Sequence, residues 1–189
     1  WSSVWRNTNV LAALSLGLLI TAGNESLNVV YGAWMERTYG LTVAALGLSV
    51  TVIGIAELAA EGLVIFLSDR LGKRRAVAAG IAAGTLAYFA LPALTFDLKF
   101  ALIGLFLVFI TFEFTIVTSI PLMTELVPEA RGTVMSANIA AHAGGRMLGA
   151  LIGAYVFHFG FLWNGVAAAV LNLVALGLVV WVVRERKGK

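Results

Sequence analysis

The chain reads as six long apolar blocks separated by short polar joints. The blocks cover residues 9–35, 43–67, 76–95, 99–126, 133–158 and 161–183. Each holds ~20 residues or more, the length that crosses a hydrocarbon layer rather than one that fills a soluble core. Strands are a poor alternative, because membrane barrels use ~10-residue segments of alternating polarity and these blocks are continuous. The pattern predicts six transmembrane helices, with consecutive helices lying antiparallel because their joints are short.

Composition sharpens this into an all-α integral membrane protein. Of 189 residues, 60% are hydrophobic and only 12% charged, about half the charge fraction of a soluble domain. Mean hydropathy is +0.95. With no cysteine, disulfides, thiol catalysis and thiolate metal sites are excluded, and His142 and His158 are too few for a His-rich centre. The sequence has no phosphate-binding glycine loop, nucleophile elbow or paired metal-ligand motif. No enzyme activity, catalytic residue, metal or cofactor is therefore expected, and no nucleic-acid partner. No cleavable signal peptide is visible ahead of the first block. A start at Trp1 suggests a fragment, a processed chain or the ordered part of something longer.

Charge placement gives an orientation. Arg6, "RLGKRR" (70–75), Arg131 and "RERKGK" (184–189) fall on one side if there are six crossings. The other side has Arg37 and Lys99, each near an acid, Glu36 or Asp97. The positive-inside rule then puts both termini and the basic loop in the cytoplasm of a multi-pass protein of the inner or plasma membrane. Aromatics fit an interfacial belt: Trp1, Trp5 and Trp181 inside, Trp34, Tyr39 and Trp163 outside. The blocks also fall into two groups of three, 1–95 and 96–189. In each, the third helix lacks charge in its core and the buried charges lie in the first two. "YGLTVAALGL" (39–48) aligns weakly with "ARGTVMSANI" (130–139). The shared layout suggests a three-plus-three inverted repeat.

Six ionisable residues lie at membrane depth: Glu25, Glu57, Glu61, Glu113, His142 and Arg146. A charge facing lipid costs ~3 kcal/mol on the insertion scale, so these must face a polar interior, pair, or be neutral. Glu57 and Glu61 share a helix face, as do His142 and Arg146. Gly47 and Gly54 accompany the acids; Asn138, Gly145, Gly149 and Gly153 accompany the bases. Glycine permits close helix approach, so a contact between the second and fifth helices is expected, as a structural ion pair or as a proton or substrate site. In the first helix Asn24 and Asn28 share a face with Tyr31 and can hydrogen-bond a ligand or serve as interhelical glue. In the fourth, Thr111, Thr115 and Thr118 make one stripe, Pro121 is expected to kink the helix, and Phe106, Phe109, Phe112 and Phe114 line a cavity or face lipid.

The loop "LSDRLGKRR" (67–75) is the most specific feature. It resembles the Gly-x-Leu-x-Asp-Arg-x-Gly-Arg-Arg signature of the major facilitator superfamily. Leu67, Asp69, Arg70, Gly72, Arg74 and Arg75 are present, Lys73 stands at a basic position, and Ile65 replaces the leading glycine. "VPEARGTVMS" (127–136) looks like the segment joining the fourth and fifth helices in the C-terminal half of drug-efflux members. The resemblance implies one six-helix half of a transporter that works by alternating access around a central cavity. The partners it implies are the bilayer, a small-molecule substrate and a second six-helix half. It also implies proton-coupled efflux, as in an antiporter. Glu25, Glu57, Glu61, Glu113, His142 and Arg146 would form the proton or substrate pathway. Asn24, Asn28, Tyr31, Thr115 and Thr118 would line the cavity. A cytoplasmic latch would use Asp69, Arg70, Gly72, Arg74, Glu125, Glu129 and Arg131, with Asp69 capping the fifth helix and Arg70 reaching Glu125 or Glu129. The competing expectation is a non-transporting membrane subunit, or a half-size homologue acting in a dimer or larger complex.

Overall fold

A computed structural model describes residues 5–183 of the chain, excepting the side chain of Asp69. Six long helices account for the fold: α1 Thr8–Tyr39, α2 Val43–Leu71, α3 Lys73–Ala90, α4 Leu98–Leu126, α5 Arg131–Phe157 and α6 Phe161–Gly177. Short 3-10 turns, Leu91–Leu94 and Pro128–Ala130, follow α3 and precede α5, and a π-turn, Leu178–Val182, extends α6. The breaks sit where the chain chemistry demands them. Gly40, Gly72 and Gly160 take positive φ at the ends of α1, α2 and the α5–α6 joint, a conformation that costs glycine nothing. Side chains of Asn7, Thr42 and Asp97 accept from backbone N–H groups in the first turns of α1, α2 and α4. α4 runs through Pro121 without interruption.

Five of these helices are long and apolar enough to cross a membrane by length and composition. The other, α5, is 27 residues long and is set apart by Asn138, His142 and Arg146, which dilute its hydropathy. The chain is thus a multi-pass membrane protein.

α1 is central. It packs on α5 along most of its length and on α6, while α4 packs on α2 and α3, and α3 meets α6. The most apolar window of α1 is 72% buried, that of α2 only 17%, so α2 presents most of its surface outward. One core cluster holds Leu27, Trp34, Met35, Tyr88, Leu91 and Leu105 toward the Gly40 end. Another holds Val10, Leu16, Ile81, Met123, Val134 and Val179 toward the Arg6 end. Trp34, expected in an interfacial belt, instead stacks on Phe161 inside the first cluster, centroids 3.8 Å apart.

The expected contact between α2 and α5 is absent as a packing interface: α2 lies on α4 and α5 on α1. The reason is steric. Gly145, Gly149 and Gly153 press α5 against the backbone of α1 at Leu18, Ala22 and Ser26. Gly47 and Gly54 of α2 have no atom within 4 Å of a notional Cβ, so they mark an open face rather than a seam.

Candidate functional site

The glycine seam brings polar groups of α1 and α5 together. At its head, the Thr21 hydroxyl hydrogen-bonds His142 Nδ1 across the two helices. Asn138 lies one turn before His142. Its Oδ1 and the His142 Nε2 both point over Gly17, each 3.2 Å from where a Cβ would stand. A neutral ring carrying its proton on Nε2 accepts from Thr21 at Nδ1 and aims its N–H toward this pocket. An imidazolium donates at both nitrogens, and the Thr21 oxygen then accepts. Further along, Glu25 packs against Gly149 and is partly buried, whereas Arg146 is exposed. Among the described residues Glu25 forms no ion pair with Arg146.

On the other side of the bundle, α2 and α4 gather three carboxylates. Glu113 of α4, partly buried, lies within electrostatic reach of Glu57 and Glu61 of α2. The two α2 glutamates are exposed and, with Thr51, Gly54, Ile55 and Leu58, border a groove of about 470 Å³. Among the described residues no cation is paired with any of the three. Of the partners expected for Glu57 and Glu61, His142 belongs to the α1–α5 seam and Arg146 is exposed on α5.

The residues expected to line a cavity divide. Asn28 and Tyr31 are partly buried. Asn24, Thr115 and Thr118 are sunk between helices, each no more than 5% exposed. The Asn24 amide donates to the Tyr88 hydroxyl of α3 at 3.3 Å, and the threonine hydroxyls donate to carbonyls one turn back, Thr111 and Phe114. These three bonds tie helices to one another or cap a turn within one, and Thr115 also borders a small pocket between α1, α3, α4 and α6.

The basic end holds the residues expected to form a latch. Glu125 bonds Lys73; Arg70 is exposed and does not take that position. Arg74 turns away from the acids and donates to the carbonyls of Val179, at 2.9 Å, and Val180 at the end of α6. Gly72 makes the turn between α2 and α3 at φ 79°. Glu129 and Arg131 sit exposed beside the start of α5. The side chain of Asp69 lies outside the described residues, as does "RERKGK".

Two buried amides of α6 were not flagged by periodicity, and the first of them ties three helices together. Asn164 of α6, fully buried, donates to Ser26 of α1 and Gly153 of α5, 2.9 Å each. Asn172, also of α6, lies beside Gly23 and Gly84 of α1 and α3. The signal for both is a lone amide in an otherwise apolar helix. Among the described residues no group of three His, Asp or Glu side chains is arranged to hold a metal ion.

Residues 13–189 match the Major Facilitator Superfamily. The chain belongs to that family. It is also 25% identical over 171 residues to YceJ of Bacillus subtilis (strain 168), an uncharacterized MFS-type transporter. That alignment covers 90% of this chain and 44% of the relative, so the chain spans less than half the length of the curated relative it matches. Membership makes this a protein of a membrane-transport family rather than an enzyme.

Proposed function

We propose that the chain is one six-helix half of an alternating-access transporter that moves a small molecule out of the cell in exchange for protons. The observation that carries this is Glu113 within electrostatic reach of Glu57 and Glu61, with no cation paired to any of them among the described residues. Three like charges at membrane depth stabilise no packing, and each costs ~3 kcal/mol there when ionised. Such a group is poised to take up and release protons as its exposure changes. The groove beside it opens on α2, the least buried helix, so a rocking motion against a second half would alter its access to water. The likeness to YceJ, an MFS-type transporter, supports the same reading.

The three-plus-three repeat, divided at 95/96, gains support from the packing. Exchanging α1–α3 with α4–α6 turns the α1 contacts to α5 and α6 into the α4 contacts to α2 and α3, and leaves α3 on α6. Arg6, the 70–75 loop and Arg131 favour an inner-membrane placement with both termini cytoplasmic. There the Lys73–Glu125 bond, with Arg70 and Arg131 exposed nearby, would serve as the latch.

Proteoliposomes with an imposed pH gradient test the proposal, with the chain in its full transporter context. Glu113→Gln and Glu57→Gln should each remove proton-driven flux of a tracer substrate while leaving its binding intact. Unchanged proton-driven flux in both variants would reduce the cluster to a structural feature.

A further inference from the structure

At the end of the bundle away from the basic loop, a pocket of about 760 Å³ opens between the end of α1, the turn after α3, and the α5–α6 joint. Its walls combine two chemistries. Phe89, Pro92, Phe157 and Leu162 are apolar; Arg37, Thr38 and His158 are polar and stand among them. The Arg37 guanidinium lies over the Phe157 ring, 5.2 Å from its centroid, a stacking that fixes the plane of the guanidinium but leaves its edge free to donate. Among the described residues Arg37 has no carboxylate partner. The acids at this end are Glu36 and Asp97, and neither lines the pocket. Asp97 caps α4 through the Lys99 N–H, and Glu36 follows a different direction around α1.

The surroundings say what kind of anion fits. Below the pocket, α3 from Ala76 onward and α6 carry no charged residue, and Leu86, Phe89, Leu162 and Trp163 stand exposed on them. An exposed tryptophan at a helix end marks the boundary between hydrocarbon and headgroups. A pocket there, with an unpaired fork donor at its rim and an uncharged apolar slope beneath, matches a molecule with an anionic head and apolar tails. A small inorganic anion would use the head site and leave the slope bare.

We propose that this pocket binds the headgroup of an anionic phospholipid. Arg37 bonds the phosphate through two N–H groups, His158 and Thr38 add donors, and the acyl chains lie along Phe89 and Leu162.

The probes are phosphatidylglycerol and phosphatidylcholine of identical acyl composition, added to the full chain in detergent and counted as bound adducts by native mass spectrometry. The wild type should retain phosphatidylglycerol preferentially. Arg37→Ala should weaken that retention roughly tenfold, the scale of a lost charge-assisted hydrogen bond, and His158→Gln should weaken it less. Glu36→Gln, one residue away and outside the pocket, should leave it unchanged or tighter. Arg37 is exposed, so the variant should fold, and an unchanged melting temperature in lipid-free detergent checks this. Equal retention of the two lipids by the wild type overturns the proposal without recourse to any variant. Full retention of phosphatidylglycerol by Arg37→Ala does so too. Displacement of the lipid by millimolar inorganic phosphate would assign the pocket to a free anion and reject the lipid.

Discussion

Thr21 on α1 and His142 on α5 are joined by a hydrogen bond between hydroxyl and ring nitrogen, at the head of the most extensively packed helix pair in the bundle. Both groups lie in spans that the surrounding bilayer cannot hydrate, so each depends on the other. Hydrogen bonds between membrane helices are nevertheless modest, about 0.6 kcal/mol on average. Thr21→Val and His142→Ala should therefore each lower stability, and the double variant should cost less than the sum. The expected coupling is about 0.6 kcal/mol, measured as a double-mutant cycle of unfolding in mixed micelles. Strict additivity would mean that the bond contributes nothing.

Glycines on the two helix faces should respond in opposite ways. A methyl at Gly153 would run into the backbone of Ser26, and one at Gly145 into the backbone of Leu18. Neither obstacle is a flexible side chain. Gly153→Ala should cost about 1–3 kcal/mol through overpacking, and Gly145→Ala a comparable amount. Gly54→Ala on α2 meets nothing within 4 Å and should be neutral or stabilising by up to ~1 kcal/mol, the helix propensity gained. Thermal melts of the three variants decide it. An equal loss in all three would contradict the placement of α2.

Asn164 should tolerate truncation better than a change of sign. Its amide donates to two carbonyls on two different helices, and both of those oxygens also serve their own helices. Asn164→Ala should cost about 1–3 kcal/mol for the lost bonds. Asn164→Asp is nearly isosteric but replaces the donor with an acceptor facing two acceptors, in a position with no exposure. It should be worse than alanine, or force the new carboxyl to stay protonated so that its own O–H donates. A melting series from pH 5 to pH 8 separates these: aspartate at 164 should lose stability as pH rises, and alanine should not.

How much of this was legible in the chain differs by level. The blocks at 9–35, 43–67 and 161–183 anticipate Thr8–Tyr39, Val43–Leu71 and Phe161–Gly177 with its π-turn, because hydrocarbon thickness sets block length directly. Which helix meets which was not legible. In a bilayer an apolar face suits lipid and protein equally, so the pattern along α2 carried no address. Gly145, Gly149 and Gly153 announced a close approach but not that Leu18, Ala22 and Ser26 would receive it. Nor did the i,i+4 spacing of Glu57 and Glu61 say that Glu113 would face them, because that depends on how α2 turns against α4. Asn164 carried the clearer signal, since a donor inside an apolar helix must find an acceptor on a neighbour, and it finds Ser26 and Gly153.

The basic end supplies a final contrast between two cations one residue apart. Lys73 pairs with Glu125, but both side chains are a third or more exposed, 34% and 43%. Screened pairs of that kind contribute about 0–1 kcal/mol, so Lys73→Gln should scarcely change the melting temperature. Arg74 donates to carbonyls at the end of α6, at Val179 and Val180, through charge-assisted bonds. Removing it breaks both bonds, so Arg74→Gln should cost about 1.5–3 kcal/mol. It should also increase hydrogen exchange at residues 178–183 without affecting α4. The same experiment on Lys73→Gln should leave that segment protected. If Lys73→Gln proved the more damaging of the two, the end of α6 would be held by contacts other than Arg74, and the exchange pattern would show where.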